Sequence, residues 1–282
     1  MRGSLLFRMI AVLSVTLLIG TASGLVLSLA PAPNTAPNDT LTIMTYNIYQ
    51  GYTPDGLVNL ERIRDTIRDS GADIVGLQES DSGRVGSMNI DSILWLSTQL
   101  EMYSYFGPPT SEQVIGVALL SKYPITSADY HILSHEELPR VLLETVVRIG
   151  TFGLNVFVVH LGLSYADRTT QAAEVMTIVN AASGSKILMG DFNTLPTGEP
   201  EPGVGSPDDT IYHDISMYLN DTWTAAGNPL NPVDGYTWPS TDPYERIDYI
   251  WVSPNISVLS CAVVSSATGS DHLPVWARIE LP

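Results

Sequence analysis

Ser270-Asp271-His272-Leu273-Pro274 places an acid next to a histidine close to the end of the chain, and other isolated polar groups match it far upstream. Asn47 ends Met44-Thr45-Tyr46-Asn47, and Glu79 lies in Gly76-Leu77-Gln78-Glu79-Ser80. His160 ends Val158-Val159-His160, and Asp191 and Asn193 follow Met189-Gly190 in Met189-Gly190-Asp191-Phe192-Asn193. Asp248 closes Arg246-Ile247-Asp248-Tyr249. Each follows or lies inside a short, β-rich apolar run. A polar group is costly in a core but useful at the rim of a sheet, so the pattern puts chemistry where several strands end.

The runs themselves predict the frame. Leu41–Tyr46, Asp73–Leu77, Ile115–Leu120, Lys186–Met189, Ile247–Val252, Ile256–Val264 and Val275–Ile279 read as strands. Val141–Ile149 and Leu154–Val159, separated by Gly150-Thr151-Phe152-Gly153, read as a hairpin. Gly56 to Asp69 reads as a helix from the spacing of Leu60, Ile63 and Ile67, with Gly71 as its C-cap. Asp91 to Leu100 and Thr169 to Asn180 also read as helical, and Gly107-Pro108-Pro109 as a turn. Leu195 to Ser240 is rich in Pro, Gly, Asp and Asn, with a short helix near Tyr212–Leu219; long irregular stretches of this kind are often functional loops. Hairpins mixed with single helices predict two packed sheets flanked by helices.

The chain has 282 residues, 44% of them hydrophobic, which is enough for a core and argues against disorder. Thirty acidic against 13 basic residues give a formal net charge of −17. That balance disfavours a binder that grips the phosphate backbone through a basic surface. It either serves solubility alone or includes carboxylates gathered for a hard cation. The single cysteine, Cys261, forms no intrachain disulfide and reads as a buried thiol.

At the N-terminus, Arg2 and Arg8 precede an uncharged, mostly apolar stretch from Met9 to Ala30. Its length of about 22 residues fits a signal anchor better than a cleaved signal peptide, whose apolar core is about 7–15 residues. Residues 1–30 are thus expected to anchor or export the chain, 31–40 to form a Pro-rich linker, and 41–282 to form one domain. The expected location is extracytoplasmic, held at the membrane or secreted if cleavage occurs at a site such as Ala22-Ser23-Gly24. Asn38, Asn220 and Asn255 head Asn-X-Ser/Thr triplets, a pattern common by chance.

Glu79, Asp191, Asp248 and Asp271 would repel one another at one rim unless a divalent cation or an imidazolium sat among them. Oxygen donors without cysteine favour Mg²⁺, Mn²⁺ or Ca²⁺ over Zn²⁺. His160 and His272 can move protons near neutral pH, and Asn47 and Asn193 can donate to phosphate oxygens. Together these groups describe phosphoester hydrolysis. Singly they are weak: a strand-end histidine is more often structural, and Gly190-Asp191-Phe192-Asn193 also fits a plain Asx turn.

The series Thr45-Tyr46-Asn47-Ile48, Leu77-Gln78-Glu79, Val159-His160-Leu161, Gly190-Asp191-Phe192-Asn193, Arg246-Ile247-Asp248-Tyr249 and Ser270-Asp271-His272-Leu273-Pro274 resembles the endonuclease/exonuclease/phosphatase superfamily. The resemblance covers about Leu41 to Leu281 and implies an α/β fold, a four-layer α-β-β-α sandwich of two mixed, mainly antiparallel sheets. It also implies Mg²⁺-dependent hydrolysis, possible too with Mn²⁺ or Ca²⁺. Glu79, Asp271 and Asn47 would hold the metal, with Asn47 also near the phosphate. His272 would be the base, oriented by Asp248, while Asp191 positions water and Asn193 steadies phosphoryl oxygens. His160 would stand near the leaving group and contact substrate. The role split between the two histidines stays open.

A closer likeness lies in the middle of the chain. Gln78-Glu79-Ser80-Asp81, Ser87-Met88-Asn89-Ile90-Asp91, Leu100-Glu101-Met102-Tyr103, Tyr105-Phe106-Gly107-Pro108 and Ala118-Leu119-Leu120-Ser121-Lys122-Tyr123-Pro124-Ile125 look like the C-terminal domain of GPI-anchor lipid-remodelling proteins. Sphingomyelinase-like members are also similar. These likenesses imply a phosphodiesterase acting on a phospholipid or lipid-linked headgroup at the membrane, and a monomer is expected. Two alternatives stand beside it: an extracellular nuclease, less expected from the charge, and a non-catalytic module that binds a phosphorylated headgroup. Specificity is expected in the loops Asp81–Ile90 and Leu195–Ser240. Tyr165, Tyr236, Trp238 and Tyr244 are candidates for headgroup or membrane contact. Arg84, Arg140 and Arg168 are candidates for phosphate, with ordinary surface roles the simpler expectation.

Overall fold

A computed structural model describes residues 40–109, 115–196, 210–230 and 233–282. The expected anchor, most of the linker and part of the long irregular stretch lie outside these residues. Among the described residues, no helix is long and apolar enough to cross a membrane.

The strands are β1 (Thr40–Asn47), β2 (Ile74–Asp81), β3 (Tyr103–Gly107), β4 (Ile115–Ser121), β5 (Ile125–Leu133) and β6 (Arg140–Ile149), then β7 (Phe152–His160), β8 (Lys186–Asp191), β9 (Asn220–Asp221), β10 (Asp248–Val252), β11 (Ser257–Val263) and β12 (Val275–Glu280). They form two six-stranded sheets, ordered β11-β12-β1-β2-β4-β3 and β5-β6-β7-β8-β10-β9. Within them β1/β2 and β7/β8 run parallel and the other pairs antiparallel. The helices are α1 (Leu60–Ser70), α2 (Ser92–Leu100), α3 (Tyr165–Ala181), α4 (Ile211–Ser216) and α5 (Thr222–Ala225).

Alternation along the strands builds three apolar layers. Leu41 and Ile43 of β1 pack between the sheets with Val156 and Val158 of β7 and with Met189 of β8. Met44 and Tyr46, on the opposite face of β1, meet Leu60, Ile63 and Ile67 of α1 and Leu96 of α2. On the far side, Phe157 and Leu188 meet Val175 and Val179 of α3 and Ile215 of α4. The result is the α-β-β-α sandwich of mixed, mainly antiparallel sheets that the motifs imply.

Several boundaries differ from the sequence reading. Helix α1 begins at Leu60, not Gly56, because the Asn59 side chain accepts from the Arg62 amide (3.2 Å) and so caps the first turn. Gly71 ends it as expected, in the left-handed region at φ 71°. Helix α3 begins at Tyr165, four residues early, capped by Ser164. The hairpin turn is tighter, with β6 reaching Ile149 and β7 starting at Phe152. Strands β3 and β5 were not expected: both lie on sheet edges, where half-exposed, polar-rich sequences show no clean alternation. Cys261 is buried as expected, and burial pushes its thiol up to about 12.

Candidate active site

Strand register gathers the polar residues. His160 on β7 lies opposite Asp191 on β8, and Asp191 lies opposite Asp248 on β10, so three adjacent strands end at one level. Asn47 ends β1 in the facing sheet. Glu79 reaches this rim by a different device. A β-bulge shifts the β2/β4 register between Leu77 and Ser80, and Glu79 itself sits at φ 48°. A bulge re-aims a side chain that strict alternation would point elsewhere. Gly190 is required beside Asp191: a Cβ there would lie 1.9 Å from the Val159 carbonyl oxygen.

Buried hydrogen bonds lock the groups together. His272 Nδ1 lies 2.9 Å from Asp248 Oδ2, which leaves Nε2 facing Asn47 Nδ2 (3.5 Å) and Asp191 Oδ2 (3.7 Å). Asn47 Nδ2 donates to Asp191 Oδ2 at 3.0 Å and reaches Glu79 Oε1 at 3.5 Å. The Ser270 hydroxyl donates to the Asn47 carbonyl (2.7 Å) and accepts from the His272 amide (3.2 Å), stapling the histidine segment to the end of β1. The Asn193 amide donates to Asp191 Oδ1 at 3.0 Å, so the Asx turn is real and also orients a site carboxylate. Asn193 Nδ2 donates to Leu161 O at 3.0 Å, which uses one of its two amide protons.

The electrostatics follow from burial and crowding. Burial works against a charged His272, but the Asp248 charge and hydrogen bond, with Asp191 and Asp271, outweigh it and raise the imidazole to about 10. Burial and the neighbouring Asp248 raise Asp191 to about 7. Burial likewise raises Asp271. Burial, the Arg140 charge and His272 hold His160 well below its ordinary value, so it is neutral.

The structure brings all eight expected residues to one rim and adds others that the sequence reading passed over. Arg140, named there as a candidate for phosphate with a surface role the simpler expectation, donates from Nη1 to His160 Nδ1 at 3.0 Å. A guanidinium only donates, so His160 carries its proton on Nε2, 3.3 Å from Asp191 Oδ2. Arg168 is buried and donates to the Leu163 carbonyl instead of meeting solvent. Arg84 donates to Gln50 Oε1, and Gln50 Nε2 donates to Glu79 Oε2 at 3.0 Å, a brace from the 81–90 loop to the site. Arg140→Met is expected to raise the His160 pKa and release its tautomer preference; a side-chain nitrogen NMR titration checks this, and an unchanged titration overturns it.

Gln50, Glu79, Arg140, His160, Asp191, Asn193, Asp271 and His272 line a cleft of about 480 Å³, with Trp238, Tyr244 and Glu245 on its wall. Among the described residues, the group whose ligand atoms come within 4.8 Å of one another is Asp191, Asp248 and His272. Its Asp248–His272 hydrogen bond makes it better suited to moving a proton than to caging a cation. Glu79 and Asp271 fit a hard cation well: the hydrogen bonds to Glu79 come from the neutral amides of Asn47 and Gln50, and its charge adds to what raises Asp271.

Known proteins are similar to this chain in sequence and in fold. The chain is 32% identical to protein cwh43 of Schizosaccharomyces pombe over 192 residues, 66% of this chain, and spans 20% of that protein's length. It is 28% identical to the uncharacterized protein YbhP of Escherichia coli over 273 residues, 88% of this chain and 100% of that protein. Among solved structures, an endonuclease/exonuclease/phosphatase from Beutenbergia cavernae superposes with a TM-score of 0.71 at 24% identity, covering 86% of this chain and 72% of that one. A mannosyl-6-phosphatase of Bacteroides thetaiotaomicron superposes at 0.67 with 19% identity, covering 85% and 99%. At these identities the structures establish the shared fold. The family model described as "Endonuclease/Exonuclease/phosphatase family" matches residues 44–272, most of the chain, from Met44 to His272 itself. This chain therefore belongs to the endonuclease/exonuclease/phosphatase family of phosphoester hydrolases.

Proposed function

We propose that the protein is a Mg²⁺-dependent phosphodiesterase acting on a phospholipid or lipid-linked headgroup at the outer surface of a membrane. The observation that carries the reaction class is the buried Asp248–His272 pair, whose free Nε2 opens on a cleft shared with Glu79 and Asp271. Glu79 and Asp271, with Asn47 beside them, would hold the cation. When bound, it supplies charge neutralisation at a phosphoryl oxygen and a more acidic water.

The remaining work falls to the chain's own groups. Protonated in the metal-free protein, His272 would be neutral with a cation's charge beside it; Nε2 then takes a proton from the attacking water, while Asp248 fixes the ring and balances the imidazolium that forms. Asp191, held by Asn47, His160 and the Asn193 amide, orients that water. The second Asn193 amide proton donates to a phosphoryl oxygen, while the Asn47 amide protons are engaged by Asp191 and Glu79. His160, its tautomer set by Arg140, holds Asp191 through Nε2–H and stands beside the leaving oxygen.

The lipid-linked substrate draws support from the mid-chain motifs and the match to cwh43. The apolar Met9–Ala30 stretch supports a membrane tether, which would raise the local concentration of the site over lipid. The cleft is lined by Glu79, Asp191, Glu245 and Asp271 against Arg140 among charged groups that are not histidine, a balance that disfavours a polyanionic nucleic acid. The test is a screen of phospholipids, sugar phosphates and plasmid DNA with Mg²⁺ and with chelator. Mg²⁺-dependent lipid turnover is expected; equally efficient plasmid degradation favours the nuclease, and headgroup binding without turnover favours a binding module. Glu79→Gln is expected to raise the Mg²⁺ needed for half-maximal activity by about 100-fold, since even residues one step from a metal cost about 10–100-fold. An unshifted Mg²⁺ titration removes Glu79 from the metal site.

A further inference from the structure

Beside the catalytic groups, the cleft wall carries a carboxylate and two aromatic rings that the hydrolysis does not use. Glu245 is 8% exposed, yet among the described residues its carboxylate has no hydrogen-bond or ion-pair partner. Burial alone raises its pKa, the expected cost of a carboxyl group without a counter-ion. Trp238 and Tyr244 stand edge to face, ring centroids 5.5 Å apart at 68°. Tyr244 remains half exposed and Trp238 is partly exposed, so neither ring is sealed into a core.

The three side chains are held as a unit. Trp238 and Glu245 form an antiparallel bridge, with the Trp238 amide donating to Glu245 O (3.1 Å) and the Glu245 amide to Trp238 O (3.0 Å). Residues directly opposite in such a bridge put their side chains on one face. The hairpin is fastened to the histidine segment: the Ser240 amide donates to Asp271 O (2.7 Å), the Ser240 hydroxyl to Ser270 O (2.7 Å), and the Leu273 amide to Thr237 O (2.8 Å). The distance between this wall and His272 is thereby fixed, as a subsite next to the reacting phosphate requires.

We infer that Trp238, Tyr244 and Glu245 form a subsite for an ammonium group, so that the preferred substrate is a phosphodiester of an amino alcohol. The inference rests on the phosphodiesterase reading of the same cleft. Aromatic faces attract a cation through the ring quadrupole, and a carboxylate on the cleft wall with no partner among the described residues supplies the counter-charge. A cleft of about 480 Å³ takes a phosphorylated amino alcohol without rearrangement. Choline and ethanolamine share this chemistry as quaternary and primary ammonium.

The test compares 4-nitrophenyl phosphocholine with its uncharged isostere, 4-nitrophenyl 3,3-dimethylbutyl phosphate, and with 4-nitrophenyl phosphoethanolamine. The protein is expected to favour the better cationic ester over the isostere by about tenfold or more in kcat/KM. Preference for choline assigns a quaternary ammonium and preference for ethanolamine a primary one. Glu245→Gln and, separately, Trp238→Leu should bring the ratio toward one. Turnover of all three esters at equal efficiency overturns the subsite and leaves the phosphodiesterase intact. If no ester is turned over, the phosphodiesterase reading fails, and calorimetric binding decides the subsite. Tighter binding of phosphocholine or phosphoethanolamine than of 3,3-dimethylbutyl phosphate supports it, and equal affinity overturns it.

Discussion

His272→Ala is expected to lower kcat/KM for a phosphodiester by about 10³-fold with the fold retained, because general-base catalysis contributes about 10²–10⁴-fold. The reasoning is geometric. Asp248 occupies Nδ1 at 2.9 Å, so Nε2 alone faces the cleft, and no second imidazole is placed to substitute. His160 is committed through Nδ1 to Arg140 and through Nε2 to Asp191. Asp248→Asn keeps an acceptor at the same place but removes the charge that balances the imidazolium, and a loss of about 100-fold is expected. Steady-state rates at saturating Mg²⁺, with circular dichroism to show the fold, check both; a His272→Ala rate equal to wild type would sink the mechanism.

The same pair has a stability readout in chelator. His272 is raised from 6.5 to about 10 in the folded protein, so protonation favours folding. That contribution is complete below about pH 6.5 and is lost as pH rises toward 10. Asp248→Asn should therefore destabilise the metal-free protein more near roughly pH 6 than near pH 10 in chemical denaturation.

Gly190→Ala is expected to cost about 4–5 kcal/mol or to prevent folding, the range reserved for substitutions that leave no room to relax. Its Cβ would lie 1.9 Å from Val159 O and 2.9 Å from Val159 C, and both are backbone atoms of the neighbouring parallel strand. No side-chain rotation relieves such a contact. Either β7 and β8 separate, or the Asp191 end twists out of register with His160 and Asp248. Gly227→Ala is the control. It also has positive φ, at 88°, but its Cβ would meet nothing within 4 Å, so only the left-handed penalty of about 1–2 kcal/mol applies. Urea denaturation of both variants checks the contrast, and equal losses would refute the steric argument.

Much of the site was legible as residue type and position. A polar residue at the end of an apolar run stands out because burial there needs a reason. Arg140 was legible only as a candidate for phosphate, not as the partner of His160. In the sequence it follows Pro139 at the start of a strand and looks like a surface charge. Only the pairing of β6 with β7, which sets Leu142 opposite Val159, carries it beside His160. Glu245 was hidden for a similar reason: it lies in a stretch with no periodicity, and its isolation as a buried carboxylate appears only once the hairpin folds back on Trp238. Strand β5 escaped notice because an edge strand exposed along most of its length needs no apolar alternation.

Chain chemistry alone was enough to specify the two sheets with flanking helices, the order of the polar strand ends and the hard, oxygen-rich donor set. Those properties follow from local periodicity and residue type. Tertiary structure decided which of these groups touch. The common register of β7, β8 and β10, the bulge that turns Glu79 inward, and the hydrogen bonds that give His272 and His160 different protonation states all depend on strand pairing between residues far apart in the chain. Local sequence carries no record of that pairing.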